Sequence, residues 1–265
     1  WELRFLELAS TIMIKIRKRE TMTSFTNTAN NQPTSDVSIS HNDAKRLPLI
    51  SYRFDFARFS EHLVDVSLTF TTTSAAPQLW LPAWIPGSYL MREFARNITA
   101  VHYQIIDSQI KEGDELAETY RAQKIDKHTW QLPAVQAGQT VNVAYEVYCY
   151  DLSVRTAYVD QQRLYGNFTS LALAIDGQEL EPVQVSLIVP AAFLLDKKEN
   201  DVLLACGLAA THLRVEGQDT DGQHSYQLQA DNYHELIDYP FEVAEQQKFD
   251  FIIHDNQHET LQHSF

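Results

Sequence analysis

Cysteine is scarce. Cys149 and Cys206 are the whole complement, too few and too far apart in sequence for a disulfide framework. Cys149 falls in an apolar alternating run and reads as a buried thiol, so a reducing, cytoplasmic setting is the expectation. Positive charge is also short: 35 acidic against 21 basic residues leave a formal charge of -14. That balance argues against nucleic acid or an anionic membrane surface as a main partner. No uncharged apolar run reaches the roughly 18 residues of a membrane-spanning helix. Glycine-rich phosphate loops are absent, and Ser88, although it follows Gly87, sits in no Gly-x-Ser-x-Gly elbow. Ten histidines are present, but His224 and His234 are widely spaced, and His254, His258 and His263 lack the i, i+4 relation that puts two ligands on one helix face. No metal site, and hence no cofactor, is expected within this chain.

What is present is strand pattern. Val64, Val66, Leu68 and Phe70 alternate with polar residues, the period of two expected of a half-buried strand. Val101–Ile105, Val141–Cys149, Val183–Val189 and Phe249–Ile253 repeat it. Shorter runs at Leu49–Phe56, Glu118–Ile125, His128–Leu132 and Ser225–Gln229 complete the set, separated by turn signals such as Gly113, Gly138, Gly177 and Gly222. Many short strands with frequent turns predict an all-β fold: a β-sandwich or saddle-like twisted sheets with one or two short helices, Thr169–Ile175 and Ala191–Lys198 each reading as a single turn or a short helix.

The ends differ from this body. Residues 1–47 read as a disordered or spurious leader: basic residues follow the apolar stretch instead of preceding it, and a polar run without periodicity comes next. Met13 and Met22 are the candidate natural starts, and an amphipathic helix over residues 2–16 is the other reading of the leader. Glu245–Lys248 reads as a polar linker before a new strand pair.

Two segments carry the functional signal. Trp80-Leu-Pro-Ala-Trp84-Ile-Pro86-Gly87-Ser88-Tyr89-Leu-Met-Arg92-Glu93-Phe-Ala-Arg96-Asn97 is too rich in Pro and Gly for a ladder and too apolar for a solvated tip. It reads as a loop anchored by aromatics that presents Tyr89, Arg92, Glu93 and Arg96. Glu93 suits a protonated amine, although a plain ion pair on the sheet rim explains Arg92 and Glu93 as well. In Asp231–Glu242, Glu235 and Asp238 are spaced to share a face of a short helical turn. They read either as paired carboxylates or as helix capping, with Asp231 as the cap and Glu235 in the first turn.

Both segments resemble the N-terminal domain of the glycyl aminopeptidases, gluzincin-type zinc metallopeptidases with a C-terminal PDZ domain, metallopeptidase family sixty-one. A weaker similarity runs from Arg163 to Gly177. The resemblance implies an N-terminal β domain over residues 48–243 and a truncated start of the catalytic domain over 244–265. It implies that zinc in the full-length parent is held by two His and a Glu beyond this chain, with a Glu as general base. The string His258-Glu259-Thr260-Leu261-Gln262-His263 does not supply that helix, since an i, i+5 pair diverges by about 140°; His258 instead resembles a histidine early in the catalytic domain. The chain itself is therefore expected to carry no catalytic residue and to be inactive. Its expected partners are the catalytic domain of the same polypeptide and a peptide substrate with a small N-terminal residue, contacted through Tyr89, Arg92, Glu93, Glu235 and Asp238. The alternatives from the residues alone are a self-standing β-sandwich that binds carbohydrate or a protein through Trp80, Trp84 and Tyr89, and a small hydrolase using Glu235 and Asp238.

Overall fold

A computed structural model describes residues 50–85, 88–106, 118–198, 202–215, 222–246, 250–254 and 260–264. The leader expected at 1–47 lies outside them. The first strands are β1 (Ile50–Asp55), β2 (Leu63–Thr71), β3 (Gln78–Trp80), β4 (Ile98–Ile106), β5 (Thr119–Arg121) and β6 (Gln123–Lys124). Then follow β7 (Thr129–Gln131), β8 (Thr140–Tyr148), β9 (Ala157–Val159), β10 (Arg163–Asn167), β11 (Ala174–Ile175) and β12 (Val183–Val189). The last are β13 (Val202–Cys206), β14 (Ala209–Val215), β15 (Gln223–Ala230), β16 (Pro240–Glu245), β17 (Asp250–His254) and β18 (Thr260–Ser264). Two short α-helices, Ala191–Leu194 and Tyr233–Asp238, interrupt them. The all-β class read from the sequence is what is found.

An eight-stranded sheet, ordered β14-β15-β12-β1-β2-β8-β4-β5, forms the base. Its neighbours are antiparallel except for β1 beside β12. The alternation of β2 and β8 sorts their faces. Val64, Val66, Leu68 and Phe70 are buried together with Val141, Val143, Tyr145 and Val147. The opposite face is polar, and there Asn142 donates to Ser67 at 2.7 Å and to Thr69 at 2.8 Å. Two four-stranded sheets, β13-β16-β10-β9 and β11-β3-β7-β6, supply further strands. The run expected at Glu118–Ile125 splits because the chain changes sheets: β5 pairs with β4, while β6 pairs with β7.

Between these sheets every residue from Phe168 to Ile175 is buried. The expectation at Thr169–Ile175 was a single turn or a short helix. The structure has the single turn, a 3-10 turn at Phe168–Ser170, followed by β11. Buried irregular backbone must find hydrogen-bond partners, and three tyrosines provide them. Tyr52 of β1 donates to the Leu173 carbonyl at 2.6 Å, Tyr145 of β8 to Leu171 at 2.8 Å, and Tyr233 to Ala172 at 2.8 Å. The Tyr145 hydroxyl also accepts from the Leu173 N–H at 3.2 Å. Burial pushes all three phenols above their ordinary pKa, so they stay protonated donors. Phe168 packs against Phe54 and Phe241. Gly166 admits that packing: a β-carbon there would lie 2.6 Å from both Leu171 and Phe241.

Two predictions follow from this core. Tyr145→Phe leaves the Leu171 carbonyl and the Leu173 N–H unpaired, and should cost about 3 kcal/mol in urea unfolding. Tyr165→Phe, whose hydroxyl serves only the exposed Val154 carbonyl, should cost less than about 1 kcal/mol; equal losses would contradict the assignment. The second concerns Glu242, 4% exposed on β16 with Arg163 at 3.4 Å. Burial holds its carboxyl above the usual 4.5 despite the guanidinium. A carboxyl raised in the folded state stabilises the fold below its unfolded pKa, and that contribution is lost as pH rises through the folded value. Glu242→Gln should therefore flatten the decline in stability from pH 4.5 upward, read as urea midpoints across the acid-to-neutral range.

Candidate functional site

The loop between β3 and β4 is held at both ends by the core. Leu79 and Leu81 are fully buried at its start, and Phe94 and Ala95 are buried in the 3-10 turn Phe94–Asn97 at its finish. The Arg92 N–H donates to the Ala83 carbonyl at 2.6 Å and closes the neck. Inside, the Trp84 indole donates to the Ser88 carbonyl at 2.8 Å, and the Ser88 hydroxyl donates to the Leu90 carbonyl at 3.0 Å. A loop pinned in this way need not collapse to shield its tip. Tyr89, Leu90 and Met91 are 104%, 64% and 72% exposed. Pro86 and Gly87 lie outside the described residues.

Beside the neck is a cleft of about 260 Å³ lined by Leu90, Met91, Arg92, Glu93, Phe94, Arg96, Asn97, Asp151 and Thr156. Of the residues expected to contact substrate, Arg92 and Glu93 line this cleft. Tyr89 stands on the same loop, outside the lining. Glu93 is engaged: Lys127, from the turn before β7, donates to its carboxylate at 2.7 Å. That hydrogen bond holds the Glu93 carboxyl below its ordinary range, with a smaller pull from Arg96. Arg92 is different. Its Nε is buried with no hydrogen-bond partner among the described residues.

Glu235 and Asp238 occupy the other segment and do not line the cleft. Asn232 is the N-cap of the helix Tyr233–Asp238, one residue later than expected; its side chain accepts from the Glu235 N–H at 2.9 Å, and Glu235 reciprocates on the Asp231 N–H at 2.5 Å. Asp238 is exposed at the last turn. The two segments meet through Trp80, whose ring packs edge-on against Tyr233 at 5.9 Å and whose indole donates to Glu179 at 3.3 Å. Trp80 is thereby withdrawn from any stacking platform with Trp84 and Tyr89. Asp151, Thr156 and Lys127 were missed in the sequence. They come from distant loops, and only the end of the alternating run at Cys149 marks the start of the first.

Among the described residues no group of three or more His, Cys, Asp or Glu converges as metal ligands, so zinc has no donor set there. His263 falls on a strand, β18, and His258 lies outside the described residues. No helix among the described residues is long and apolar enough to cross a membrane.

Comparison with known proteins places this architecture. The Peptidase M61 N-terminal domain family matches residues 51–245. The structure is similar to an aminopeptidase N family protein from Idiomarina loihiensis, with 36% identity and a TM-score of 0.56, covering 78% of this chain and 31% of that one. Weaker likenesses include Legionella pneumophila aminopeptidase A at 10% identity and TM-score 0.46, covering 82% and 23%. A mutant M1 zinc metallopeptidase from Deinococcus radiodurans follows at 12% and 0.40, covering 79% and 45%. No curated protein matches the sequence. The chain thus spans about a third of the Idiomarina protein's length. On the match over residues 51–245, the chain belongs to the Peptidase M61 N-terminal domain family.

Proposed function

We propose that this domain packs on a zinc-bearing catalytic domain of the same polypeptide and walls one side of its substrate cleft, helping to select short peptides with small N-terminal residues. The parent is a metalloaminopeptidase of the glycyl aminopeptidase type with a PDZ domain, and the chemistry resides in the partner domain. One observation carries the reading: three successive side chains, Tyr89, Leu90 and Met91, are held out by a loop whose neck and ends are fixed. Adjacent exposed apolar side chains on a rigid support favour a covering surface. Residues 244–265, with the hairpin β17–β18, lead into that partner, and Tyr89, Arg92 and Glu93 lie nearest the peptide. Glu235 and Asp238 face it from the helix that follows β15.

The test is a chimera in which this chain replaces the matching region of the Idiomarina protein. It should hydrolyse a glycyl chromogenic substrate in a chelator-sensitive way, and the remainder of that protein alone should be at least about tenfold less active. Replacing Leu90 and Met91 by Ser should leave the unfolding free energy of the isolated chain within about 0.5 kcal/mol of the parent. The same change should raise the KM of the chimera several-fold. A remainder that is fully active alone, or a chimera indifferent to the substitutions, would contradict the reading.

A further inference from the structure

The charges at the cleft are distributed unevenly. Glu93 is taken up by Lys127, while neither Arg92 nor Arg96 forms an ion pair among the described residues. In a chain of formal charge -14, two unpaired guanidiniums against the single carboxylate of Asp151, likewise unpaired among the described residues, leave this small cleft with a local excess of positive charge. Burial of the Arg92 Nε without a partner sharpens it, because a charged donor removed from water costs free energy until an acceptor meets it. The planar fork of an arginine fits a carboxylate with two parallel hydrogen bonds. Leu90, Met91 and Phe94 add an apolar wall, and Asp151 lines the cleft from another loop as an acceptor for N–H groups.

The geometry points to a carboxylate subsite. Arg92, supported by Arg96, binds the C-terminal carboxylate of a short peptide, Asp151 accepts an N–H of the same ligand, and the last side chain lies against Leu90 and Met91. This rests on the proposed peptidase reading and refines it. The charge offered by the free groups of the loop is positive, so the loop recognises the acidic end of a peptide, and Glu93 is held as a structural partner of Lys127. A cleft of about 260 Å³ accommodates one or two residues, which makes substrate length a property of this domain.

The experiment uses the 265-residue chain with arginine side chains labelled for nuclear magnetic resonance. Triglycine should shift the Arg92 Nε–H signal saturably, and triglycine amide should bind about tenfold or more weakly, the loss of one charge-assisted pair. In the Arg92 variants the Arg96 Nε–H signal, on the same cleft, is the reporter: Arg92→Gln should abolish its response to triglycine and Arg92→Lys should weaken it, with unchanged unfolding midpoints showing that both variants fold. Equal binding of the acid and the amide, or no shift with either, overturns the subsite. A C-terminal amide with an internal aspartate that binds as tightly as triglycine also overturns it, because the ligand would then be an acidic side chain. Catalysis is not read in this experiment. Failure here alongside an active chimera sinks only the subsite, whereas peptide binding alongside an inactive chimera sinks only the packing role.

Discussion

The structure depends on how the backbone at Leu171–Leu173 is satisfied. Three successive carbonyls lie in the interior where no ladder reaches them, and each accepts a hydrogen bond from a tyrosine on a different element. Such a chain segment is tolerated inside a protein only if its polar groups are paired. Once paired, it does what a strand cannot. Tyr52 and Tyr145 tie it to the large sheet, Tyr233 ties it to the helix Tyr233–Asp238, and β11 continues from it to pair with β3. The position of β3, and therefore of the loop that leaves it, is set by this buried network.

From that network the functional surface can be followed outward. Tyr233 gives its hydroxyl to the buried segment and its ring to Trp80. Trp80 ends β3, and the chain then runs through buried Leu81 into the pinned loop. The side chains of the tip are exposed because the neck bond and the Trp84–Ser88 contact hold the loop from within. Rigidity and exposure together suit a surface that meets a partner without a large ordering cost.

Much of the fold was legible because alternation is a direct consequence of strand geometry. Val64–Phe70 and Val141–Val147 could bury one face in no other way. The loop was legible in part: Pro and Gly exclude a ladder, but the expectation that so apolar a loop would not have a solvated tip did not hold, since Tyr89, Leu90 and Met91 are exposed on hydrogen bonds made inside the loop. At Thr169–Ile175 the sequence leaves a single turn or a short helix open, and the structure has the turn followed by β11; its hydrogen-bond partners are tyrosine hydroxyls, two of them more than twenty residues before it and one far after, which no local pattern reveals. The cap at Asn232 was missed by one position because Asp and Asn cap alike. At the cleft, Arg92 and Glu93 were visible as charges on an anchored loop. That Lys127 would occupy Glu93 and that Asp151 would line the cleft were not, since both depend on contacts between loops far apart in sequence.

The central claim is that the exposed tip of the 80–97 loop is an interface. Hydrogen–deuterium exchange over residues 84–93 tests it most directly, compared between the isolated chain and the chain joined to the remainder of the Idiomarina protein. The account predicts rapid exchange at Tyr89–Met91 in isolation and slowed exchange in the joined protein, with Phe168–Ile175 protected in both. Equal exchange at Tyr89–Met91 in a joined protein that is folded would contradict it.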